Sequence, residues 1–312
     1  MIRSPVFIVG SERSGTTVLR LMLDHHPKVA LFFEFEFAVD LISPDGVFPS
    51  LELYHDYLST DRVFQSAHVE VDPRLDYCNL VDSFLGQKRA RDGKEVVGAT
   101  VHRNFDRLPY VWPDARFIHI LRDGRDVARS VVPMGWAGNA WRGAQWWIDA
   151  ERMWERMRGL LEASRWIDVR YEELIGDSRG TLSRVCEFIG VDFDEAIYEY
   201  AKTSSYPLPD PTKVFQWRTK SPPRELRLLE GRIGDMLTQR GYELSGVAPA
   251  KVGRLFRRWL MLHSRLVCAL FRVKRYGLPL YLADFLARRL PFTGYRKRLR
   301  LRTNAIDREH LR

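Results

Sequence analysis

Val6 to Val9 is an unbroken apolar run of strand length, and Phe117 to Leu121 is interrupted only by His119. Short runs without alternation predict strands buried on both faces of a parallel sheet. The intervening periodicity is helical. Val18, Leu19, Leu21, Met22 and Leu23 give a helix apolar almost all round, which Pro27 forces to end near His26. Val29 to Phe37 reads as a further strand-like stretch. Residues 40–95 carry Asp45-Gly46, Pro49, Pro73 and Asp92-Gly93 between short amphipathic runs, the composition of helices and loops laid over a sheet. Trp141, Trp147, Ala150, Trp154, Met157 and Leu161 then mark one face of a long helix, assigned to the core. Trp166 to Val169 returns as a strand, and residues 178–190 form a helix stopped by Gly190. The pattern predicts an α/β fold of three layers, a central parallel sheet flanked by helices.

The pattern changes beyond residue 247. Leu255, Phe256, Trp259, Leu262, Leu266 and Leu270 share one arc of a helical wheel, and Arg254, Arg257, Arg258, Arg265 and Arg272 share the opposite one. Residues 251–312 hold 17 Lys and Arg against Asp284, Asp307 and Glu309, a net +14, which leaves residues 1–250 at −5 within the chain's +9. We therefore expect a body over residues 1–247 and a basic amphipathic helical extension over 248–312. His263, Arg265, Lys274 and Arg275 break any apolar run long enough to span a bilayer. An anionic membrane surface is one partner that fits the extension, and docking on the acidic body or on a second copy in a homodimer fits equally.

The chemistry lies at the strand ends. Gly10-Ser-Glu-Arg-Ser-Gly-Thr-Thr17 has the spacing of a phosphate-binding P-loop, but Thr16 stands where nucleotide-hydrolysing versions carry lysine. Joining a strand to a helix, such a loop points backbone N–H groups and the positive end of the helix dipole at one anion. A second anion site is legible at Arg122-Asp-Gly-Arg-Asp126, which follows the second strand, with Asp126 expected to cap a helix starting near Val127 and Ser130 one turn further in. Arg122 would sit where open α/β sheets bind ligands, and its planar fork suits a phosphate. The competing reading is an ion-pair cluster among Arg122, Asp123, Arg125 and Asp126.

The first loop, Leu23-Asp24-His25-His26-Pro27 and Leu121-Arg-Asp-Gly-Arg-Asp-Val-Ala-Arg-Ser130 together resemble the sulfotransferases that use 3'-phosphoadenosine 5'-phosphosulfate (PAPS), in particular their bacterial and tyrosylprotein branch. The likeness continues through Val169-Arg-Tyr-Glu-Glu-Leu174, Glu187-Phe-Ile-Gly190 and Gln216-Trp-Arg218. It implies a P-loop-like fold in which Arg13, Ser14, Gly15, Thr16 and Thr17 hold the 5'-phosphosulfate. It further implies that Arg122 and Ser130 hold the 3'-phosphate and that Tyr171 lies near the nucleotide. The same resemblance nominates Arg218 as a second cation at the donor, with Lys220 as runner-up, and Glu34 as general base, with Glu36 as fallback. The apolar neighbours Phe32, Phe33, Phe35 and Phe37 would raise a carboxylate's pKa toward neutrality.

Two departures from the family pattern stand out. Gly98-Ala-Thr-Val-His-Arg103 replaces a Lys-Thr-Pro-like triplet and removes a catalytic cation, for which His102 or Arg103 is the candidate substitute. Met134 offers no third arginine for the 3'-phosphate.

The resemblance implies PAPS as donor, 3'-phosphoadenosine 5'-phosphate (PAP) as product and no metal. The acceptor expected is a hydroxyl on a small molecule such as a polyketide or phenol, on a carbohydrate or lipid, or on a peptide tyrosine, and the basic extension mildly favours a lipid-linked one. Cys78, Cys186 and Cys268 are odd in number and far apart, which fits a reducing compartment rather than a disulfide framework or zinc site. The first strand begins by Pro5, which leaves no room for a secretory signal ahead of it, so a cytoplasmic enzyme is expected, peripheral at the inner membrane face if the extension binds lipid. A P-loop kinase-like enzyme would share the first loop but not its missing lysine. An anionic-polymer binding module would explain the tail but not the paired phosphate sites; no nucleic-acid partner is expected.

Overall fold

The computed structural model describes residues 1–289 and 293–310. Five parallel strands, β1 (Val6–Val9), β2 (Val29–Glu34), β3 (Val96–Val101), β4 (Arg116–Leu121) and β5 (Trp166–Arg170), form one sheet in the order β2-β3-β1-β4-β5. The chain moves from β1 out to β2, back to β3, then across to β4. The crevice beyond the carboxyl ends of β1 and β4 is therefore the switch point where such sheets bind ligands.

β1 lacks alternation because both of its faces are covered. Phe7 and Val9 pack with α3 (Tyr77–Asp92) and with Trp154 of α6 (Ala140–Arg158), after α2 (Leu51–Leu58) in the chain. Val6 and Ile8 pack with α1 (Thr16–His25) and α8 (Ser178–Ile189). These are the three expected layers. Short helices α4 (Leu108–Val111), α5 (Gly124–Ser130) and α7 (Tyr171–Gly176) join them, and α9 (Tyr200–Thr203), α10 (Trp217–Lys220) and α11 (Pro223–Gln239) follow. Gly190 closes α8 at φ 83°, as expected of an αL stop.

Two boundaries differ from expectation. The strand begun at Val29 stops at Glu34, and Glu36–Ala38 turns into a 3-10 helix, so Phe37 faces the core with Phe35 rather than lining a strand. α5 begins at Gly124, capped by the Asp123 carboxylate, which accepts from the Arg125 N–H; Asp126 is not its cap.

Beyond residue 250 the extension makes three helices, α12 (Arg254–Tyr276), α13 (Leu278–Ala287) and α14 (Thr293–His310), where the wheel had indicated one. Among the described residues no helix is long and apolar enough to cross a membrane.

Candidate active site

The loop between β1 and α1 is shaped by backbone that only particular residues tolerate. Gly10 has φ 146°, and a Cβ there would lie 2.5 Å from the Ile120 carbonyl oxygen of β4. Gly15 has φ 94°, and a Cβ there would meet the Tyr171 ring at 2.2 Å. Arg13 adopts φ 69°, a left-handed conformation rare for a residue with a side chain. Strain of this sort is kept where the surroundings hold it, often at ligand sites. The first N–H groups of α1 have no intrahelical partner and face the loop, together with the helix dipole.

The second motif meets this loop. Arg13 Nε donates to Ser130 Oγ at 2.9 Å, across 117 residues of chain. One Arg122 guanidinium nitrogen donates to the Arg13 carbonyl at 3.1 Å and the other to the Lys213 carbonyl at 2.9 Å, while the group lies 4.4 Å from the Tyr171 ring centre. The buried Arg122 Nε and the buried Ser14 hydroxyl make no hydrogen bond. Orphaned donors in a crevice are what an anionic ligand would satisfy. Thr17 follows on the first turn of α1, half-buried.

The rest of the second motif is structural. Arg125 is buried between Asp123 and Glu230, at 2.7 and 2.6 Å, and stacks on Trp217 at 3.6 Å. Asp126 accepts from the N–H groups of Gln216 and Trp217, which seats the 216–218 segment on α5. Trp147 of the aromatic helix donates to the Arg122 carbonyl at 3.0 Å and packs where a Cβ on Gly124 would be. The motif thus divides: Arg125 and its carboxylates fix the helix, and Arg122 is turned toward the loop.

The ends of β2 and β3 bring acid–base groups to the other side of α1. His102 Nε2 lies 2.9 Å from Thr16 Oγ1, and its Nδ1 lies 2.8 Å from Glu36 Oε1, which also accepts the His102 N–H at 2.9 Å. Burial alone would lower the His102 pKa, but the hydrogen bond and charge of Glu36 outweigh it and bring it up to about 9. Burial would raise Glu36, yet His102 and Arg103 hold it below the usual carboxylate range. Glu34 differs: its side chain is 44% exposed and 4.0 Å from Arg62, and loss of solvent together with the charge of Glu36 pushes its pKa up. Phe32, Phe35 and Phe37 belong to the core beneath it. Arg103 is held by both oxygens of Asp40 and is committed there.

Arg218 is exposed beside Phe215 and Trp217, and it lines a cavity of about 430 Å³ with Arg125, Arg170, Glu172 and Tyr242. Lys220 bonds the Gln216 side chain. The aromatic face of α6 is core, as expected, and Trp136 in the preceding loop is exposed. The Thr16–His102–Glu36 chain is the feature that sequence reasoning did not assemble. Its one signal was a histidine just beyond the place of the missing lysine.

Comparison with known proteins gives the family. The sulfotransferase family profile matches residues 5–195. The chain belongs to that family. Over 224 residues this sulfotransferase-family chain is 26% identical to omega-hydroxy-beta-dihydromenaquinone-9 sulfotransferase Stf3 of Mycobacterium tuberculosis, covering 64% of this chain and 53% of that protein. It is 26% identical over 223 residues to the protein-tyrosine sulfotransferase of Drosophila melanogaster, covering 65% and 41%. The chain spans about half the length of these relatives. In fold it is similar to the sulfotransferase domain of the curacin biosynthetic pathway, with a TM-score of 0.53, 18% identity, and 78% and 99% of the two chains covered. The corresponding domain of the Synechococcus PCC 7002 olefin synthase gives 0.50, at 20% identity, covering 78% and 97%.

Proposed function

We propose that this sulfotransferase-family chain moves a sulfonate from PAPS to a hydroxyl acceptor, with PAP as product and no metal. The observation that carries the reading is the convergence of two anion sites, Arg13 to Thr17 and Arg122 with Ser130, on one crevice where the buried Arg122 Nε and Ser14 hydroxyl have no partner. The loop residues would hold the 5'-phosphosulfate, Arg122 and Ser130 the 3'-phosphate, and Tyr171 the nucleotide between them. Arg218 is proposed as a further cation reaching the donor from its neighbouring cavity. The donor supplies a sulfonate on a phosphate leaving group; the protein supplies position and positive charge where negative charge builds.

Glu34 is the proposed base. Glu36 is bound to His102 and held acidic, which makes it a poor proton acceptor, whereas Glu34 is partly accessible and shifted toward neutrality. His102 supports a different role. At neutral pH it is an imidazolium, donating to Glu36 and to Thr16 Oγ1, so the Thr16 hydroxyl is free to donate to an anion at the loop. Such a positive charge would stand in for the lysine missing near Ala99. A cytoplasmic location is proposed from the scarce, unpaired cysteines. Stf3, by its name, acts on a hydroxylated menaquinone, and protein-tyrosine sulfotransferases on tyrosine; the acceptor proposed here is an alcohol of the lipid-linked kind.

The test is a thermal-shift comparison of PAP, ADP and ATP on the native protein and on Arg122→Ala. PAP alone should give a large shift, and Arg122→Ala should lower PAP affinity roughly 10- to 100-fold, the value of a charge-assisted fork. Equal shifts with all three nucleotides would overturn the donor assignment.

A further inference from the structure

The extension is anchored at both ends. On α12, Ser264 Oγ accepts from the Gly138 N–H at 2.9 Å, the Leu260 carbonyl accepts from Asn139 at 3.0 Å, and Phe271 fills the space beside Gly135. On α14, the buried Asn304 amide donates to the Thr60 carbonyl at 2.9 Å, Arg308 to Gln65 at 2.7 Å, and Lys297 pairs with Asp56. The first anchor lies on the loop just after Ser130, and the second lies on the segment that carries Arg62, the neighbour of Glu34. The extension therefore joins segments next to both halves of the candidate site.

Docking uses only part of α12's apolar surface. Leu260 and Ser264 are buried against the body, but Leu255, Trp259, Leu262, Leu266 and Leu270 are exposed, Leu262 by 66% and Leu270 by 60%. With 3.6 residues per turn these five fall within an arc of about 80°. α13 exposes Leu278, Leu282, Phe285 and Leu286 in addition. Along the flanks of the stripe, Arg254, Arg258, Arg265, Arg272 and Lys274 are all exposed, and among the described residues none of them is in an ion pair. A contiguous apolar stripe flanked by uncompensated cations fits a layer with acyl chains below and anionic headgroups above. A water-facing helix would instead present polar residues there.

We propose that α12 and α13 seat this protein on the surface of an anionic lipid bilayer. Lying flat is the geometry available, since no described helix is long and apolar enough to span. The inference stands without the donor assignment. It adds to that assignment a source for the acceptor, an amphiphilic alcohol drawn from the layer.

Flotation of the full chain with phosphatidylcholine vesicles, with and without phosphatidylglycerol, tests this. The native protein should float with the anionic vesicles at low salt and far less with neutral ones. Leu262→Glu with Leu266→Glu should abolish flotation, and Arg258→Glu or Arg265→Glu should weaken it at least about fivefold for each cation removed. All four positions are exposed, so melting temperature and PAP response should stay unchanged. Indifference to phosphatidylglycerol, or no flotation at all, would overturn the proposal. So would a dimer in light scattering that Leu266→Glu dissociates, because the stripe would then belong to a second copy. A failed PAP shift with intact flotation would overturn the donor assignment alone.

Discussion

Arg122 and His102 show how single side chains are set to their tasks by what surrounds them. Arg122 has its two terminal nitrogens fixed by carbonyl oxygens and its Nε left over, so Arg122→Lys should fail to restore PAP affinity in the same titration, because an ammonium lacks the fork. Glu34→Gln should lower turnover about 10²- to 10⁴-fold while the PAP-induced shift is retained; undiminished turnover would exclude Glu34 as the base. His102 binds its proton more tightly folded than unfolded, about 9 against an ordinary 6.5. The stability it contributes is fully present below pH 6.5 and is lost as pH rises through about 9. Denaturant melts between pH 6 and 10 should show that decline, and His102→Gln should flatten it. The resemblance indicated the identities of Arg13, Ser130, Arg122 and Tyr171. Their mutual contacts were not legible, because they join positions from 49 to 117 residues apart through rotamers that no local pattern encodes.

At the scale of elements, the buried strands and the aromatic helix were readable because burial on two faces leaves a strand with no polar side. The end of β2 was not. Glu34 and Glu36 look like alternating members of one strand, and only the 3-10 turn at Glu36 sends the second carboxylate inward to His102. The capping of α5 was misread for a similar reason, since Asp123 and Asp126 are both good caps and the docking of Gln216 and Trp217 consumes Asp126. The elements also carry glycines with no tolerance for a side chain. Gly98 of β3 lies so close to β1 that a methyl group would sit 1.6 Å from the Val6 carbonyl oxygen. Gly98→Ala should cost several kcal/mol and abolish a cooperative melt. Gly15→Ala should displace the Tyr171 ring, with a lower melting temperature and a weaker response to PAP.

Across the whole molecule, charge segregation was plain in the sequence, +14 in residues 251–312 against −5 elsewhere. It does not resolve into simple docking of a basic tail on an acidic body. Among the described residues only a few of the tail's cations find carboxylates, among them Lys297 with Asp56 and, within the tail itself, Arg275 with Asp307. The wheel showed the apolar arc but could not apportion it between the body and the outside, because Gly135 and Gly138 admit α12 by lacking side chains. Raising salt should release vesicle-bound protein with little change in its melting temperature, since the anchors at Leu260, Ser264 and Asn304 are buried or hydrogen-bonded and, of the anchors named above, the exposed Lys297–Asp56 pair alone is ionic.

Those anchors have a mechanical outcome. Residues 135–139 and 56–65 are far apart in the chain, yet one helical bracket grips both, so neither can swing outward unless the bracket lets go or moves with it. Hydrogen exchange in the two stretches should therefore rise in step when Asn304→Ala loosens one grip. The two stretches would then loosen as one piece, under the control of helices that lie outside both anion-binding motifs.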